Sequence, residues 1–453
     1  MQFYSQIGQD KFLFERFFLG KRNGIFVDIG AYDGRTFSNT LFFEQSLGWT
    51  GLCVEPLPGE FEKLKSCRSA TCANTCVSDY NGIGDMLDVD VTGDARMLSG
   101  LIENYDPRHL ERIDRVSIQK NVIRVPVTTL TDLLSAHNLT RVDYCSLDTE
   151  GSELNILKSL DFRQFDISLF TIANNYKDGR IHDFMARNGY GLVVEFQGCD
   201  QLYKKKEVNL LPRTTVICAV WHGDPDRFDL LEGHMVNLDK QTHPIDRVYV
   251  FDGGDTPPQD LKGQVLITHD KLSIYQAWNL ALSMVQTPYV MNLNLDDRLA
   301  PDAVEVMENA LDTGSDLVGG DWKICYTQEE TDAVRSSFPA NLLPFVPAWP
   351  PAGNLTRLGS GTGSRGTYGP ACMWRTNLHQ NLARYPYQFG DGTLIRVIGD
   401  AVWWRLLLQN KKKIQRVERI IGNYYSHPQN QAEFRNPVKE EEQKLKVLGV
   451  RLL

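Results

Sequence analysis

Short apolar runs rich in β-branched residues alternate with longer amphipathic segments along both halves of the chain. In the first half these runs cover residues 24–29, 51–55, 142–147, 167–172 and 190–195, and in the second half they cover 214–220, 247–252 and 289–292. Buried runs that alternate with helical periodicity are typical of α/β folds with parallel sheets. The pattern therefore predicts two successive α/β units.

The first series of runs ends near residue 195, and a polar stretch over residues 201–211 precedes the next run at residue 214. A chain of 453 residues is also longer than a single domain with one hydrophobic core usually is. We therefore predict one domain over residues 1–205 and a second over residues 212–453. Residues 353–369 are rich in Gly, Ser and Thr, which predicts a lid or acceptor-binding loop within the second domain.

Composition narrows the class of protein without identifying its chemistry. The chain is 42% hydrophobic and 23% charged, contains no long apolar run that could span a bilayer, and starts with polar residues rather than a secretion signal. We expect a cytoplasmic protein whose nine cysteines are thiols. A net charge of −9 argues against a nucleic-acid partner. The basic runs 204–206 and 411–413 fit solvated faces, and they also leave peripheral contact with an anionic membrane open.

The first apolar run ends in a glycine-rich acidic turn, Asp28-Ile29-Gly30-Ala31-Tyr32-Asp33-Gly34. Gly30 and Gly34 would let the backbone approach a ligand closely. The next run ends at Glu55, where a carboxylate can accept hydrogen bonds from ribose hydroxyls. Alone, this turn also fits a dinucleotide site or a purely structural corner.

With their surroundings, these residues make roughly residues 4–203 resemble the FkbM family of methyltransferases. The matching blocks are Tyr4-Ser5-Gln6-Ile7-Gly8-Gln9-Asp10, the turn from Asp28 to Gly34, Ser38-Asn39-Thr40, residues 49–56, residues 97–101 and Leu147-Asp148-Thr149-Glu150-Gly151-Ser152-Glu153. The resemblance implies a Rossmann-like fold and O-methylation of a sugar or polyketide hydroxyl with S-adenosylmethionine. It also implies that Asp28, Gly30, Gly34 and Glu55 hold the cofactor.

The same resemblance places Asp148 and Glu150 beside the methyl acceptor. Capping of the helix that begins near Ser152 is an equally good interpretation of these acids, since carboxylates stabilise helix N-termini. One residue departs from the family pattern, because Ala173 stands where the family usually has a glutamate. If that acid is needed for methyl transfer, the first half is slow, inactive or a binding module.

In the second half, an apolar run leads into the acidic turn Asn294-Leu295-Asp296-Asp297-Arg298. Adjacent carboxylates at a sheet edge can hold a divalent cation that bridges the phosphates of a nucleotide sugar. Aspartate is also common in plain turns, so the pair alone is only suggestive.

Roughly residues 213–453 resemble the family-two-like GT-A glycosyltransferases. The matching blocks are residues 214–220, residues 249–255, Ala277-Trp278-Asn279, residues 294–298, residues 369–375, Gly399-Asp400 and Tyr424-Tyr425-Ser426-His427. The resemblance implies that Asp252 and Asn279 contact the nucleotide sugar and that Asp296, Asp297 and His427 hold Mg²⁺ or Mn²⁺. Asn294 stands where the family's first metal-site acid can be, which weakens the expectation of metal dependence.

Asp400 matches the family acid that deprotonates the acceptor hydroxyl, and helix capping is its structural alternative. We therefore predict a bifunctional enzyme that transfers a sugar to a glycan or lipid-linked glycan with inversion and O-methylates a sugar. The alternative keeps the glycosyltransferase and makes the first half a non-catalytic docking or glycan-binding module. A nucleotide-sugar oxidoreductase would need a complete dinucleotide fingerprint, which the sequence lacks.

Overall fold

The computed structural model describes residues 1–90, 94–116, 119–344, 365–426 and 440–445. The chain divides into two compact units, Met1–Asn209 and Leu210–Leu453. This division falls within the segment 206–211 that separates the two domains predicted from the sequence.

The first unit contains seven α-helices and eleven strands among its described residues. Its helices are α1 (Gln9–Leu13), α2 (Leu41–Leu47), α3 (Pro58–Cys67), α4 (Pro107–Val116), α5 (Leu130–Ala136), α6 (Glu153–Lys158) and α7 (Gly179–Arg187). Its strands are β1 (Ile25–Ile29), β2 (Thr50–Val54), β3 (Thr71–Ala73), β4 (Cys76–Ser78), β5 (Gly82–Asp90), β6 (Gly100–Leu101), β7 (Gln119–Thr129), β8 (Arg141–Leu147), β9 (Asp166–Ala173), β10 (Tyr190–Phe196) and β11 (Asp200–Lys205).

Seven of these strands form the main sheet in the order β10-β11-β9-β8-β1-β2-β3. Strands β9, β8, β1, β2 and β3 are parallel, so their carboxyl ends lie at one edge. Both faces of this sheet are covered: Val27 and Leu147 pack into one apolar cluster, and Phe26 and Tyr144 pack into another. This is the α/β arrangement that the alternating apolar runs predict.

Strand β11 adds an antiparallel strand to the parallel sheet that the sequence predicts. It lies between β9 and β10 and is antiparallel to both, and its first residue, Asp200, pairs with Ala173 at the end of β9. Residues 201–205 of the polar stretch 201–211 belong to this strand. Backbone pairing to two neighbours makes this segment a strand despite its polar composition.

A smaller sheet of four strands, β4-β7-β5-β6, completes the first unit. Met86 and Leu101 from this sheet pack with Leu57, which follows β2, in a separate apolar cluster. The small sheet thereby covers the region beyond the carboxyl ends of β1 and β2.

The second unit has its own mixed sheet. Its helices are α8 (Arg227–Asp239), α9 (Ile274–Leu282), α10 (Ala303–Asp312), α11 (Gln328–Asp332), α12 (Asn377–Asn381) and α13 (Gly399–Gln409). Its strands are β12 (Thr214–Val220), β13 (Ile245–Phe251), β14 (Gln264–Ile267), β15 (Tyr289–Asn292), β16 (Arg298–Leu299), β17 (Leu317–Cys325), β18 (Phe338–Pro339), β19 (Arg365–Arg375) and β20 (Ile414–Tyr425).

The strands of the second unit follow the order β14-β13-β12-β15-β19-β17-β20-β16, and β18 pairs with β20. Strands β12 to β15 are parallel, whereas β19 runs antiparallel to both β15 and β17. Trp403, Trp404 and Leu407 of α13 are buried in the core of this unit. The predicted α/β class is confirmed in both units.

The predicted loop over residues 353–369 needs correction at its carboxyl end. Residues 365–369 belong to β19, and Arg365, Gly366 and Thr367 pair with β17. Backbone pairing does not require apolar side chains, which is why a glycine-rich composition failed to indicate this strand. Residues 353–364 lie outside the described residues.

Composition led to two expectations, one about membrane-spanning segments and one about the cysteines. Across the described ranges, none of the helices combines the length and apolar character that a membrane crossing requires. All nine cysteines are free thiols. The predicted thiols are therefore present.

Candidate active sites

A cavity of about 540 Å³ lies at the carboxyl edge of the main sheet in the first unit. Its size falls within the roughly 300–1,000 Å³ that small-molecule sites occupy. Five of the predicted site residues line it together: Asp28, Gly30, Glu55, Asp148 and Glu150. Gly34 is not among the lining residues, so its predicted role in holding a cofactor is not supported by its position.

The two glycines of the first turn are required by contacts within the protein. Gly30 has a φ of +88°, and a Cβ there would lie 1.8 Å from the carbonyl oxygen of Asp148. Gly34 has a φ of +80°, and a Cβ there would lie within 3 Å of the Leu64 and Cys67 side chains. The sequence correctly indicates tight approach at both positions, but the approaching groups belong to the protein rather than to a ligand.

Glu55 directly follows β2 and faces the cavity while holding the turns on either side. Its Oε2 accepts the backbone N–H of Tyr32 at 2.9 Å, and its Oε1 accepts that of Leu57 at 2.8 Å. Burial raises the pKa of Glu55 to about 7. Each carboxylate oxygen offers two lone pairs, so these bonds leave Glu55 able to accept further hydrogen bonds from ligand hydroxyls.

Asp28 and Asn39 differ in how far their side chains are engaged by the protein. Asp28 Oδ2 accepts the Thr40 hydroxyl at 2.6 Å, and the Arg68 guanidinium lies 3.8 Å away, which ties this carboxylate to the protein. Asn39 donates through Nδ2 to Ser146 Oγ at 3.0 Å, but its buried Oδ1 has no hydrogen-bond partner. Since Asn39 lines the cavity, its oxygen is an acceptor suited to an N–H or O–H donor of a ligand.

Asp148 and Glu150 follow β8 and enter the same cavity. Desolvation raises the pKa of both carboxyl groups, and repulsion raises it further, from Glu150 in the case of Asp148 and from Glu153 in the case of Glu150. Glu150 has a φ of +58°, a left-handed conformation that is strained for a residue with a side chain. Glu153 accepts the backbone N–H groups of Thr149 and Gly151 at the start of α6. Both donors precede α6, so Glu153 holds the turn after β8, and capping of α6 by Asp148 or Glu150 stays a prediction.

A second cavity of about 290 Å³ adjoins this point and shares Glu150 and Asn175 with the first. Its lining includes Ala173 and Tyr176. The His109 ring contacts both Glu150 and Tyr176: its Nδ1 lies 3.4 Å from Glu150 Oε2 and 3.0 Å from the Tyr176 hydroxyl. No sequence motif indicates His109, which reaches Glu150 from α4.

In the second unit, Asp252 lies directly after β13 and organises the neighbouring loops. Its Oδ1 accepts the backbone N–H of His222 at 2.8 Å, and its Oδ2 contacts His222 Nδ1 at 2.9 Å and accepts the Leu272 N–H at 3.1 Å. Asp252 is 3% exposed. It joins the ends of β12 and β13 to the start of the α9 region.

Asn279 bonds to the protein backbone through both polar atoms of its side chain. Its Nδ2 donates to the Tyr385 carbonyl at 2.8 Å, and its Oδ1 accepts the Tyr385 N–H at 2.9 Å. The side chain therefore bridges α9 and the segment before α13. Its predicted contact with the nucleotide sugar stays a prediction.

Asp296 and Asp297 lie between β15 and β16, as the acidic turn predicts. Desolvation raises the pKa of both, that of Asp297 further through repulsion from Asp296 and that of Asp296 further through repulsion from Asp224. Asp297 is fully buried, and its Oδ1 accepts the Tyr425 N–H at 3.0 Å. Asp224 in the loop after β12 is an acidic neighbour that the sequence motifs did not reveal.

Two of the three proposed metal ligands, Asp296 and Asp297, are among the described residues. His427 lies outside the described residues. Within those residues, no group of three or more His, Cys, Asp or Glu side chains is arranged to hold a metal ion. Asp296 and Asp297 would therefore need further ligands to hold a cation.

Asp400 lies in the first turn of α13. Its Oδ1 accepts the Ala401 N–H at 2.7 Å and lies 3.2 Å from the Tyr275 hydroxyl, which also donates to the Val397 carbonyl. Burial raises the pKa of Asp400 to about 6. A carboxyl group with this pKa is largely ionised at neutral pH and can accept a proton, so the structure is compatible with both predicted roles.

Comparison with known proteins identifies part of the first unit. Residues 28–192 match the methyltransferase FkbM domain, so the predicted resemblance is confirmed over these residues. No curated protein matches the chain significantly.

Solved structures with some similarity include residues 1–349 of S. aureus TarS, at 14% identity and a TM-score of 0.32, covering 48% of this chain and 60% of that one. Another is the mannosyltransferase PcManGT from Pyrobaculum calidifontis in complex with GDP-Man and Mn²⁺, at 14% identity and a TM-score of 0.33, covering 50% of this chain and 60% of that one. The chain thus spans about three-fifths of the length of each. Similarity at this level does not define an activity.

Proposed function

We propose that the FkbM domain binds S-adenosylmethionine in the 540 Å³ cavity and methylates a sugar hydroxyl there. The observation that carries this proposal is the convergence of Gly30, Glu55, Asp148 and Glu150 on one cavity within the matched domain. Asn39 adds an unpartnered acceptor to its wall. S-adenosylmethionine, when bound, supplies an electrophilic methyl group.

The residues of this cavity have separable roles in the proposal. Glu55 accepts the ribose hydroxyls, since its oxygens retain acceptor capacity after bonding Tyr32 and Leu57. Glu150, between the two cavities, accepts the proton of the acceptor hydroxyl, because its raised pKa suits a general base near neutral pH. Asp148 is the second candidate for this role, since it follows β8 and lines the same cavity.

Titration calorimetry on the full chain tests the first proposal. We expect both S-adenosylmethionine and its demethylated product to bind, and Glu55→Ala to weaken both. Thermal unfolding of the variant serves as the control for folding. If neither compound binds the folded wild-type chain, the methyltransferase proposal is wrong.

We also propose that the second unit is a GT-A glycosyltransferase that moves a sugar from a nucleotide donor to a glycan or lipid-linked glycan hydroxyl with inversion. The specific observation is the set of acids at sheet and helix ends: Asp252 and Asp297, which are buried, and Asp296 and Asp400, which are partly exposed. In this proposal Asp252 contacts the nucleoside and Asp400 removes the acceptor proton. Asp296 and Asp297 lie where the diphosphate and its divalent cation would bind.

The two activities together make a bifunctional glycan-modifying enzyme, in which one chain raises the effective concentration of one product near the second activity. Mass spectrometry of the chain with a panel of nucleotide sugars, glycan acceptors and isotope-labelled S-adenosylmethionine tests this. We expect glycosylated and methylated products. Glycosylation without any methylated product would instead favour the alternative, in which the first unit is a docking or glycan-binding module.

A further inference from the structure

The end of β9 lacks a carboxylate that the family resemblance leads us to expect, and the neighbouring strand β11 carries one. Ala173 occupies the position where the resemblance to the FkbM family leads us to expect a glutamate. The backbone register pairs Ala173 directly with Asp200, the first residue of β11. Asp200 lines the 540 Å³ cavity, and it lies beyond residues 28–192, the range matched to the family. A carboxylate is therefore present at this place in the sheet, but on the adjacent strand.

The Asp200 side chain is held in a defined orientation by Gln9. Gln9 Nε2 donates to Asp200 Oδ2 at 2.6 Å, and Gln9 Oε1 accepts the backbone N–H of Ile7 at 3.1 Å. Gln9 is 2% exposed, so this amide is fixed by its surroundings. Both residues line the cavity. The contact positions the Asp200 carboxylate at the cavity wall.

The charges of this cavity favour a positively charged ligand. Asp200 is one of the groups whose repulsion raises the pKa of Asp148, and Glu150 is another. Three carboxylates that face one space repel each other, and a bound cation would relieve this repulsion. Independently, the buried and unpartnered Oδ1 of Asn39 requires a hydrogen-bond donor from whatever occupies the cavity.

The cavity lies along the ends of successive strands of the sheet, in the order β11-β9-β8-β1-β2. Glu55 follows β2, and the proposed function assigns it to the ribose of the methyl donor. Asp148 follows β8, and Asp200 begins β11, which lies two strands further from β2. The reacting sulfonium of a donor anchored at Glu55 would extend toward β8 and β11.

We propose that Asp200, positioned by Gln9, faces the sulfonium end of the methyl donor and supplies the carboxylate that Ala173 lacks. This inference rests on the proposed methyl transfer and adds a residue to it. The ligand class is a sulfonium compound, which the site distinguishes from its uncharged thioether product by charge.

Binding of two defined ligands tests this proposal without knowledge of the methyl acceptor. S-adenosylmethionine carries the sulfonium charge, and S-adenosylhomocysteine does not. Asp200→Asn keeps the shape of the side chain and an acceptor for Gln9, but it removes the charge. We expect S-adenosylmethionine affinity to fall about tenfold or more, as loss of an ion-pair partner in a half-buried site implies, with little change for S-adenosylhomocysteine.

Two further variants make the result specific to charge at this place. Glu55→Gln is the matched control and should weaken both ligands to a similar degree, since the nucleoside part is common to them. Adding Ala173→Glu to the Asp200→Asn variant should restore the preference for the sulfonium compound. Gln9→Met should give a smaller selective loss, and it replaces Asp200→Asn as the test if thermal unfolding shows that variant to be unfolded.

The possible outcomes separate the role of Asp200 from the proposed methyl transfer. Equal weakening of the two ligands by Asp200→Asn, no weakening of either, or failure of Ala173→Glu to restore the preference would overturn the role of Asp200. If the folded wild-type chain binds neither ligand, the proposed methyl transfer fails first and the role of Asp200 falls with it.

Discussion

Glu55 and Asp252 occupy the same local position in the two units but are engaged to different degrees. Each directly follows the second strand of a parallel pair, β1–β2 in one unit and β12–β13 in the other. Glu55 accepts two backbone N–H groups and lines a cavity of about 540 Å³. Asp252 meets three donor groups, one of them the ring of His222.

This difference shows what one sequence signal, an acid at the end of a strand, can predict. It indicates where the carboxylate lies better than whether that carboxylate is available to bind a ligand. In the first unit the loops leave space beyond Glu55. In the second unit, the loops after β12 and before α9 converge on Asp252, so a nucleoside must share these hydrogen bonds or replace one. The acids of the second unit therefore combine a structural and a proposed chemical role more closely than those of the first.

The largest expected effect concerns Asp400, another acid engaged by protein donors. In Asp400→Asn, the amide oxygen can still accept from Ala401 and Tyr275, because Oδ1 alone makes both contacts. We expect donor affinity and thermal stability to stay near wild type, while turnover falls by ~10²–10⁴-fold. With a pKa of about 6, the wild-type rate should rise as pH increases through 6 and the base loses its proton.

A folded Asp400→Asn protein that transfers sugar at the wild-type rate would remove Asp400 from the mechanism. The pH profile gives an independent check, since the variant should lose the rise near pH 6. This comparison separates the proton acceptor from the helix cap.

Glycines sharpen the contrast between the two sheet edges. Gly30 and Gly253 both have positive φ, but a Cβ at Gly30 would meet the rigid carbonyl of Asp148 at 1.8 Å, whereas one at Gly253 would meet the His222 side chain at 2.8 Å. Gly8 has the same φ as Gly30, +88°, with nothing within 4 Å. Gly8→Ala should therefore report backbone strain alone, about 1–2 kcal/mol.

We expect Gly30→Ala to exceed that control by a further ~1–3 kcal/mol or to prevent folding, because strand β8 cannot move away without breaking its pairing with β1. Gly253→Ala should fall between the two, since His222 can rotate off Asp252. Denaturant unfolding of the three variants measures these differences. Equal losses at Gly8 and Gly30 would contradict the close approach of Asp148.

How much the sequence could predict depends on whether a feature is local. The turn at Gly30 and the acid at Glu55 directly follow apolar strands, and the pair Asp296–Asp297 comes soon after one, so periodicity places them near strand ends. Asp200 reaches the first cavity through β11, and His109 reaches Glu150 from α4, so their positions depend on tertiary pairing that no local pattern encodes. Asn279 belongs to a matching block, and its bonds to the Tyr385 backbone are likewise not indicated by any local pattern.

Glu55 should reveal its burial through the pH dependence of stability. Its pKa is raised to about 7 from an ordinary value of 4.5, so the folded state binds its proton more tightly than the unfolded state. The stabilisation is complete below the unfolded value and is lost as pH rises through about 7. Glu55→Gln should therefore be most destabilising near pH 5 and become more favourable by pH 8, by on the order of 2–3 kcal/mol.

Denaturant unfolding of wild type and Glu55→Gln at several pH values measures this change. Asp252→Asn, for which burial is similar, serves as the comparison variant. A constant difference between wild type and Glu55→Gln from pH 5 to pH 8 would show that Glu55 does not titrate with a raised pKa in the folded protein.

The smallest expected effect is the loss of stability in Asp252→Asn, and it addresses the opening comparison directly. The amide nitrogen cannot accept a hydrogen bond, so one of the N–H groups of His222 and Leu272 loses its acceptor. A buried donor left without a partner costs about 1–3 kcal/mol, which the unfolding free energy should show.

Nucleotide-sugar affinity should fall as well, because the loops that Asp252 joins also form the proposed nucleoside site. His222→Ala is the matched control, since it removes the ring contact but keeps the carboxylate and both backbone N–H donors. If Asp252→Asn weakens the donor while His222→Ala does not, the carboxylate itself contacts the nucleoside; equal weakening by both would mean that Asp252 acts only by holding the loops.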